Sequence, residues 1–291
     1  MITVIVPARA LPRLQRSGDL PFTLCPVEPA IADGAVVTLA ERGGRRVGLA
    51  LVDRDAACLR VMATDDGVEG LDAAWASARI EAARAIRDAH GVTGADAAYR
   101  LVNGAGDLVP GVILDVYGAF AVASALSSAL VPVATTLADA LIARGDVRGA
   151  IVKHRGRGRV TGPVPMDVRG EAPPERLVVR EGPLRFEVHL AAGVNVGLFT
   201  DMRDERPIVG RLAHGRRVLN LFAYTGAFSV AALSGGASHV TSVDLSEGVL
   251  AWARDHVALN GLDATRHTTA AADVAQYSRR RASAATRSTS C

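Results

Sequence analysis

Residues 217–228 read RVLNLFAYTGAF and residues 239–246 read HVTSVDLS, and these two stretches decide the fold class. The first opens on a short apolar run, Arg217 to Phe222, of the length and character of a buried parallel strand. It passes directly into Ala223, Tyr224, Thr225 and Gly226. A helix continues through Ser229 to Leu233, and Gly235-Gly236 closes it. The second stretch is another strand with an acid, Asp244, at its end. Ser246 can cap the helix that follows, whose buried face is Val249, Leu250, Ala253, Val257 and Ala258, and Asn260-Gly261 ends it. Strand, helix, strand, helix is the repeating unit of a doubly wound sheet, so this part of the chain reads as α/β.

Ligands in such sheets bind beyond the carboxyl ends of the strands. Gly226 would let the backbone approach a ligand closely, because it carries no side chain. Asp244, on the neighbouring strand, can accept hydrogen bonds from both hydroxyls of a ribose, and Asp273, past a third strand, could accept from an adenine amino group. A dinucleotide loop needs three glycines packed against a pyrophosphate, and this loop has one. S-adenosylmethionine (SAM) has no pyrophosphate. The residues therefore favour SAM over NAD, with an NAD-dependent enzyme as the disfavoured alternative.

Working outward, residues 177–190 suggest a hairpin around Glu181-Gly182-Pro183, and a helix lies within Met202 to Leu212 with Pro207 marking its first turn. Residues 155–175, rich in Gly and Pro, are the best candidate for a linker. Before it, Leu71 to Ile86 has helical apolar spacing and Gly91 is placed to end that helix. Residues 99–125 read as strands around tight turns, with Asn103-Gly104 as a hairpin signal. A second helix covers Ser128 to Arg144, and Ala150 to His154 is a strand. Residues 1–70 read as a small β-barrel of short strands, Ile2–Val6, Ala35–Leu39, Val47–Val52 and Cys58–Met62.

Composition excludes several classes. Apolar residues make up 49% of the 291 and aromatics 4%, so packed cores must be built from Ala, Val and Leu. No apolar run reaches the roughly 18 residues of a membrane span, and the N-terminus lacks a signal-peptide pattern, so a cytoplasmic protein is expected. Cys25, Cys58 and Cys291 are too scattered for a disulfide framework or metal cluster, and no metal is expected. The net charge is +3, and Lys153 is the sole lysine among 33 basic residues. Arginine suits phosphate and base recognition, although composition alone is weak evidence for a nucleic-acid partner.

Three segments together resemble a known family. NLFAYTGAFS with SVDLS and WARDHVALNG resembles the class I SAM-dependent rRNA methyltransferases of the large-subunit cytosine-5 type. YRLVNGAGDLVPGVILDVYG, residues 99–118, resembles that family's R-L-V-N-G-E-G-D-x-L-P-G-L-I-x-D-x-Y-G segment, with Ala105 where an acid is usual. GLFTDMRDER, residues 197–206, resembles its G-x-F-x-D-x-R segment. The resemblance implies a PUA-like RNA-binding barrel at 1–70, a central α+β domain at 71–176 and a Rossmann-like SAM-binding domain at 177–276. It implies a SAM loop made of Asn220, Phe222, Ala223, Tyr224, Thr225 and Gly226, with Asp244 at the ribose and Asp273 on the adenine side. Phe199, Asp201 and Arg203 would flank the methionine end, and the guanidinium of Arg203 suits a bidentate contact with a carboxylate. The partners expected are RNA, in particular large-subunit rRNA, and a second copy of the chain in a homodimer.

The resemblance stops near Tyr277. The family goes on to a fourth strand with an Asp-Pro-Pro type motif and to a later segment carrying the cysteine nucleophile. Here residues 278–291 read SRRRASAATRSTSC. The expectation is a SAM-binding domain lacking its later strands, an aberrant or disordered tail at 277–291 from a frameshift or truncation, and no catalytic residue within this chain. Cys291 matches no motif. An RNA-binding remnant without catalysis is the alternative reading.

Overall fold

The structure, a computed structural model, describes residues 1–14, 19–64, 67–156 and 164–288. The chain divides into two compact units: Met1–Glu175 with Leu190–Val194, and Arg176–His189 with Asn195 onward.

The first unit holds two sheets. Strands β1 (Ile2–Ile5), β2 (Leu20–Pro21), β3 (Val36–Ala40), β4 (Arg46–Asp53) and β5 (Cys58–Ala63) pair in the order β1-β3-β4-β5-β2, with a short helix α1 (Leu11–Leu14) after β1. Among the described residues the sheet is not closed between its two edge strands, so it is a half-barrel. The second sheet is made of β6 (Ala98–Asn103), β7 (Val112–Tyr117), β8 (Phe120–Ala125), β9 (Gly149–His154) and β10 (Met166–Gly170), in the order β10-β9-β8-β7-β6. Helices α2 (Ala73–Ala89), capped by Asp72 through the Trp75 N–H, and α3 (Val131–Ala143) cover one face.

The half-barrel and the second sheet belong to one unit because β4 and β5 face both ways. Val52, Leu59 and Val61 fill the half-barrel's own core, while Leu51 and Met62 join the core of the second sheet. A buried polar junction reinforces this. Asp53 accepts from Arg60 Nε at 2.8 Å and from Ser127 Oγ at 3.0 Å. Cys25 and Cys58 are buried and form no disulfide; Cys291 lies outside the described residues.

Two local expectations are corrected. The Asn103-Gly104 pair does not make a two-residue hairpin: a 3-10 turn, Gly104–Asp107, begins there, and the tight turn is at Gly118 between Tyr117 and Phe120. The Asp107 carboxylate bonds the Asn103 N–H and holds Arg87, which favours the longer loop. The Gly- and Pro-rich linker also contains β10, paired antiparallel with β9. Met166 and Val168 do alternate with Asp167 and Arg169, but the run is only five residues long and lies among glycines and prolines, and its residues are mostly exposed.

The second unit opens with the hairpin β11 (Leu177–Glu181) and β12 (Leu184–Val188). Then come α4 (Glu205–Ala213), β13 (Arg217–Leu221), α5 (Ala227–Ser234), β14 (His239–Asp244), α6 (Glu247–Leu259), β15 (His267–Ala271) and α7 (Val274–Ser288). Strands β13, β14 and β15 form a parallel sheet in that order, the Rossmann-like arrangement expected. The segment expected as a disordered tail is helical as far as Ser288, in keeping with the high helix propensity of its Ala and Arg residues. A polar chain runs across the sheet: Asn220 Nδ2 donates to Ser229 Oγ, which meets Ser242 Oγ at 2.7 Å, and Ser242 Oγ meets His267 Nε2 at 2.8 Å. No helix among the described residues is long and apolar enough to cross a membrane.

Candidate cofactor site

The registers Leu221↔Val243 and Asp244↔Ala271 bring the ends of three strands to one edge. The loop after β13 crosses that edge in an unusual backbone. Phe222 and Tyr224 have φ of 56° and 48°, left-handed values that cost non-glycine residues about 1–2 kcal/mol each. The conformation is held from several sides. Ala223 N–H donates to the Val243 carbonyl at 3.0 Å and Tyr224 N–H to Asp244 Oδ2 at 2.9 Å. Asp244 Oδ1 takes the Ser246 N–H at 3.2 Å. The buried Thr225 hydroxyl donates to the Gly197 carbonyl at 2.5 Å. The Tyr224 ring packs against Phe199 with centroids 5.2 Å apart. Burial pushes its phenol up to about 12, partly offset by the backbone of Gly197.

What this loop leaves open has a definite chemistry. Phe222, after β13, and Leu245, after β14, are each 77% exposed, and the half-exposed Asp244 carboxylate precedes Leu245 directly. Two large apolar side chains and an acid at the carboxyl edge of a parallel sheet fit a nucleoside: the faces of a base meet apolar surface and the ribose hydroxyls meet a carboxylate.

The other expected residues divide. Asp273 is exposed beyond β15 and caps α7 by accepting the Gln276 N–H at 2.9 Å. Asn220 spends its side-chain amide on Ser229, within the sheet. Gly226 (φ 74°) is required by packing: a Cβ there would stand 2.6 Å from the Ala253 Cβ on α6. Phe199 is partly exposed, and its carbonyl accepts from Arg206 at 2.8 Å. Asp201 is exposed in the turn Thr200–Met202. Arg203 lies on the wall of a cavity of about 520 Å³ along α4, with Pro207, Gly210 and His214. That cavity includes neither residues 222–226 nor Asp244, so the loop lines a separate, open shelf.

The sequence profile of the S-adenosylmethionine-dependent methyltransferases matches residues 119–279, more than half of the chain. The chain belongs to this family. The ribosomal RNA large subunit methyltransferase I of Escherichia coli is 37% identical over 212 residues, covering 70% of this chain and 52% of that protein. The Salmonella typhi protein of the same name is 36% identical over the same length. The chain thus spans about half the length of the curated relatives it matches. A Streptococcus mutans structure, described as of the SAM-dependent methyltransferase class, superposes with a TM-score of 0.81 at 29% identity, covering 97% of this chain and 74% of that one. A second structure, also given as a methyltransferase and complexed with SAH, superposes with a TM-score of 0.81 at 28% identity, over 97% and 73%. SAM is accordingly the cofactor of the family to which the chain belongs.

Several residues that shape the site were not singled out from sequence. Gly197 (φ 110°) has room for no side chain, since a Cβ would lie 2.5 Å from the Trp252 ring, and its carbonyl anchors Thr225. Arg206 and Glu181 form a buried ion pair, their side chains 2% and 4% exposed, tying α4 to the hairpin. His256 is buried beneath the loop. Gly197 and Arg206 lie in the GLFTDMRDER segment and His256 in WARDHVALNG. The signal was present, but nothing in spacing distinguishes a loop anchor from a core residue.

Proposed function

We propose that this chain is the SAM-binding part of a methyltransferase that acts on large-subunit ribosomal RNA in the cytoplasm, at the 5-position of a cytosine, and that the half-barrel Ile2–Ala63 is a PUA-like RNA-binding element; the resemblance puts the cysteine nucleophile in a segment that this chain does not match, so RNA binding without catalysis is the second reading. Support for the substrate comes from the names of the relatives, ribosomal RNA large subunit methyltransferases, and from the cytosine-5 resemblance of the motifs at 99–118, 197–206 and 220–229. The observation that carries the cofactor site is the half-buried Asp244 carboxylate, fixed by the Tyr224 N–H at the strand edge that also carries the exposed Phe222 and Leu245.

When bound, SAM supplies an electrophilic methyl group on a sulfonium. The chain's own residues would hold it. Asp244 accepts from the ribose hydroxyls, Phe222 and Leu245 cover the base, and Asp273 accepts from its amino group with the carboxylate oxygen that does not cap α7. Phe199, Asp201 and Arg203 are assigned to the methionine end. Tyr224, Ala223, Thr225 and Gly226 contribute backbone, and Asn220 supports the loop from within the sheet. An RNA base must be unstacked to meet such a site.

Calorimetry with SAM on the 291-residue chain, beside Asp244→Ala, tests the cofactor site. Binding that the substitution abolishes is expected. A folded wild-type chain with no SAM binding would overturn it. Transfer of labelled methyl to large-subunit rRNA, with the product nucleoside identified, tests the substrate; a labelled base other than 5-methylcytosine would refute that assignment.

A further inference from the structure

His256 is fully buried on α6, and its two ring nitrogens reach two different pieces of backbone. Nδ1 lies 2.9 Å from the Thr225 carbonyl oxygen. Nε2 lies 3.0 Å from the Glu187 amide nitrogen on β12. A carbonyl only accepts and an amide N–H only donates. Both bonds are made by one form of the ring alone, neutral with its proton on Nδ1. In that form the imidazole ties the Ala223–Gly226 loop to β12. Thr225 is then held twice, by its carbonyl to His256 and by its hydroxyl to Gly197.

We propose that His256 is a positioning residue of the cofactor site: its neutral, Nδ1-protonated ring sets the Thr225 backbone, and protonation of that ring dismantles the loop form that Asp244 and Gly197 complete. What the loop binds rests on the function proposed above; the positioning itself does not. A proton on Nε2 would face the Glu187 N–H, donor against donor. The Glu187 carbonyl, 3.1 Å from Nε2, could receive it only at the expense of that N–H, which would be left buried and unpaired.

The groups facing the ring come from each packed element. From β12 come the Phe186 ring, edge-on at 5.4 Å, and Glu187, whose carboxylate is held by Arg176 and His189. From α6 come Trp252, at 5.9 Å, and Asp255. From the loop comes only neutral backbone. Burial is the largest influence and lowers the proton affinity below the usual 6.5; the carbonyls of Thr225 and Glu187 and the fields of Glu187 and Asp255 oppose it without reversing it. With the folded pKa depressed, the anchor is complete above 6.5 and fails as pH falls through the folded value.

The test follows the His256 ring nitrogens and the Tyr224, Thr225 and Gly226 amides by NMR from pH 8 to pH 5, with SAM affinity measured alongside. The variants are His256→Gln, His256→Phe and His189→Gln. In the wild type, the Nδ1-protonated tautomer is expected near pH 7.5. Loop protection and SAM affinity should fall together on acidification, by up to about tenfold per pH unit below the folded pKa. His189→Gln should keep that dependence, since His189 bonds the Glu187 carboxylate and not the loop. His256→Gln, which can donate with its amide and accept with its oxygen, should restore much of the protection without the pH dependence. His256→Phe should leave the loop loose at every pH.

A proton on Nε2 near pH 7.5, or loop protection unchanged from pH 8 to pH 5, overturns the proposal, and both are read in the wild type even if a variant fails to fold. A pH-dependent loop with no SAM binding at any pH would sink the methyltransferase reading and leave the positioning role standing.

Discussion

The Asp244 carboxylate accepts the backbone N–H of Tyr224 at 2.9 Å, so the acid at the end of β14 builds the loop at the end of β13 while keeping part of its own surface exposed. One side chain thus carries a structural and a ligand-facing duty. Asp244→Asn separates them. Asparagine keeps an acceptor for Tyr224 but loses the charge, and its amide group replaces the oxygen that takes the longer Ser246 N–H bond and can face a ribose. Hydrogen bonds to charged groups contribute about 1.5–3 kcal/mol, so SAM affinity should fall roughly 10- to 100-fold with Tyr224 amide exchange unchanged. Affinity within threefold of wild type would remove Asp244 from the ribose.

Phe222 should matter to binding and hardly at all to stability. It is 77% exposed, and substitutions at such sites usually change stability by less than about 0.5 kcal/mol. Its ring, covered by a base, would contribute about 1 kcal/mol, or roughly fivefold in SAM affinity. Calorimetry and urea denaturation of Phe222→Ala check both halves. A marked loss of stability would make Phe222 a structural residue instead.

Gly226 is constrained twice, by its φ of 74° and by the Ala253 Cβ that would stand 2.6 Å from an added Cβ. Gly226→Ala should cost about 1–3 kcal/mol by overpacking. Adding Ala253→Gly should relieve the clash and leave about 1–2 kcal/mol for the left-handed backbone. If the second substitution recovers nothing, the close approach of loop and α6 is not what fixes the glycine.

The Glu181–Arg206 pair is buried on both sides, so Glu181→Ala alone should cost about 3–5 kcal/mol by leaving an uncompensated guanidinium. Glu181→Leu with Arg206→Met together should cost much less. Arg206 also bonds the Phe199 carbonyl, so the double variant should still weaken SAM binding through Phe199. Denaturation of the two variants, compared with wild type, decides it.

Lys153, buried on β9, donates from Nζ to the carbonyls of Ala192 and Gly193 at 3.0 and 2.8 Å. Burial, and then the charge of Arg155, bring its pKa from 10.5 to about 8. Below pH 8 the amine is charged in both the folded and unfolded states. Between 8 and 10.5 the unfolded chain binds more protons, so stability gained from this group rises with pH, by at most about 1.4 kcal/mol per unit. Unfolding free energies of wild type minus Lys153→Met should rise across that window. A flat difference would mean that the amine titrates normally.

The sequence made the strand-loop-helix of 217–234 legible because an apolar run of strand length, a turn glycine and an apolar helix follow one another without interruption, although β13 is only partly buried where the run suggests a buried strand. It also named the residues on the exposed shelf, Phe222 and Asp244, through motif and position. It read Gly226 as room for a ligand and did not foresee its packing against Ala253, because absence of a side chain in sequence does not say what fills its place. It missed β10, whose short alternation of Met166 and Val168 with charged residues lies inside a Gly- and Pro-rich stretch, and it read Asn103-Gly104 as a tight turn where the Asp107 carboxylate favours a longer loop.

By itself, then, the sequence determined the α/β class, the order of the elements and the chemistry of the cofactor loop, since these depend on periodicity and on neighbours along the chain. Only the tertiary structure decided what holds that loop. The contacts of Thr225 with Gly197 and His256, and of Arg206 with Glu181, join residues 25 or more apart in sequence, and such pairings depend on how the elements pack, which no local pattern encodes.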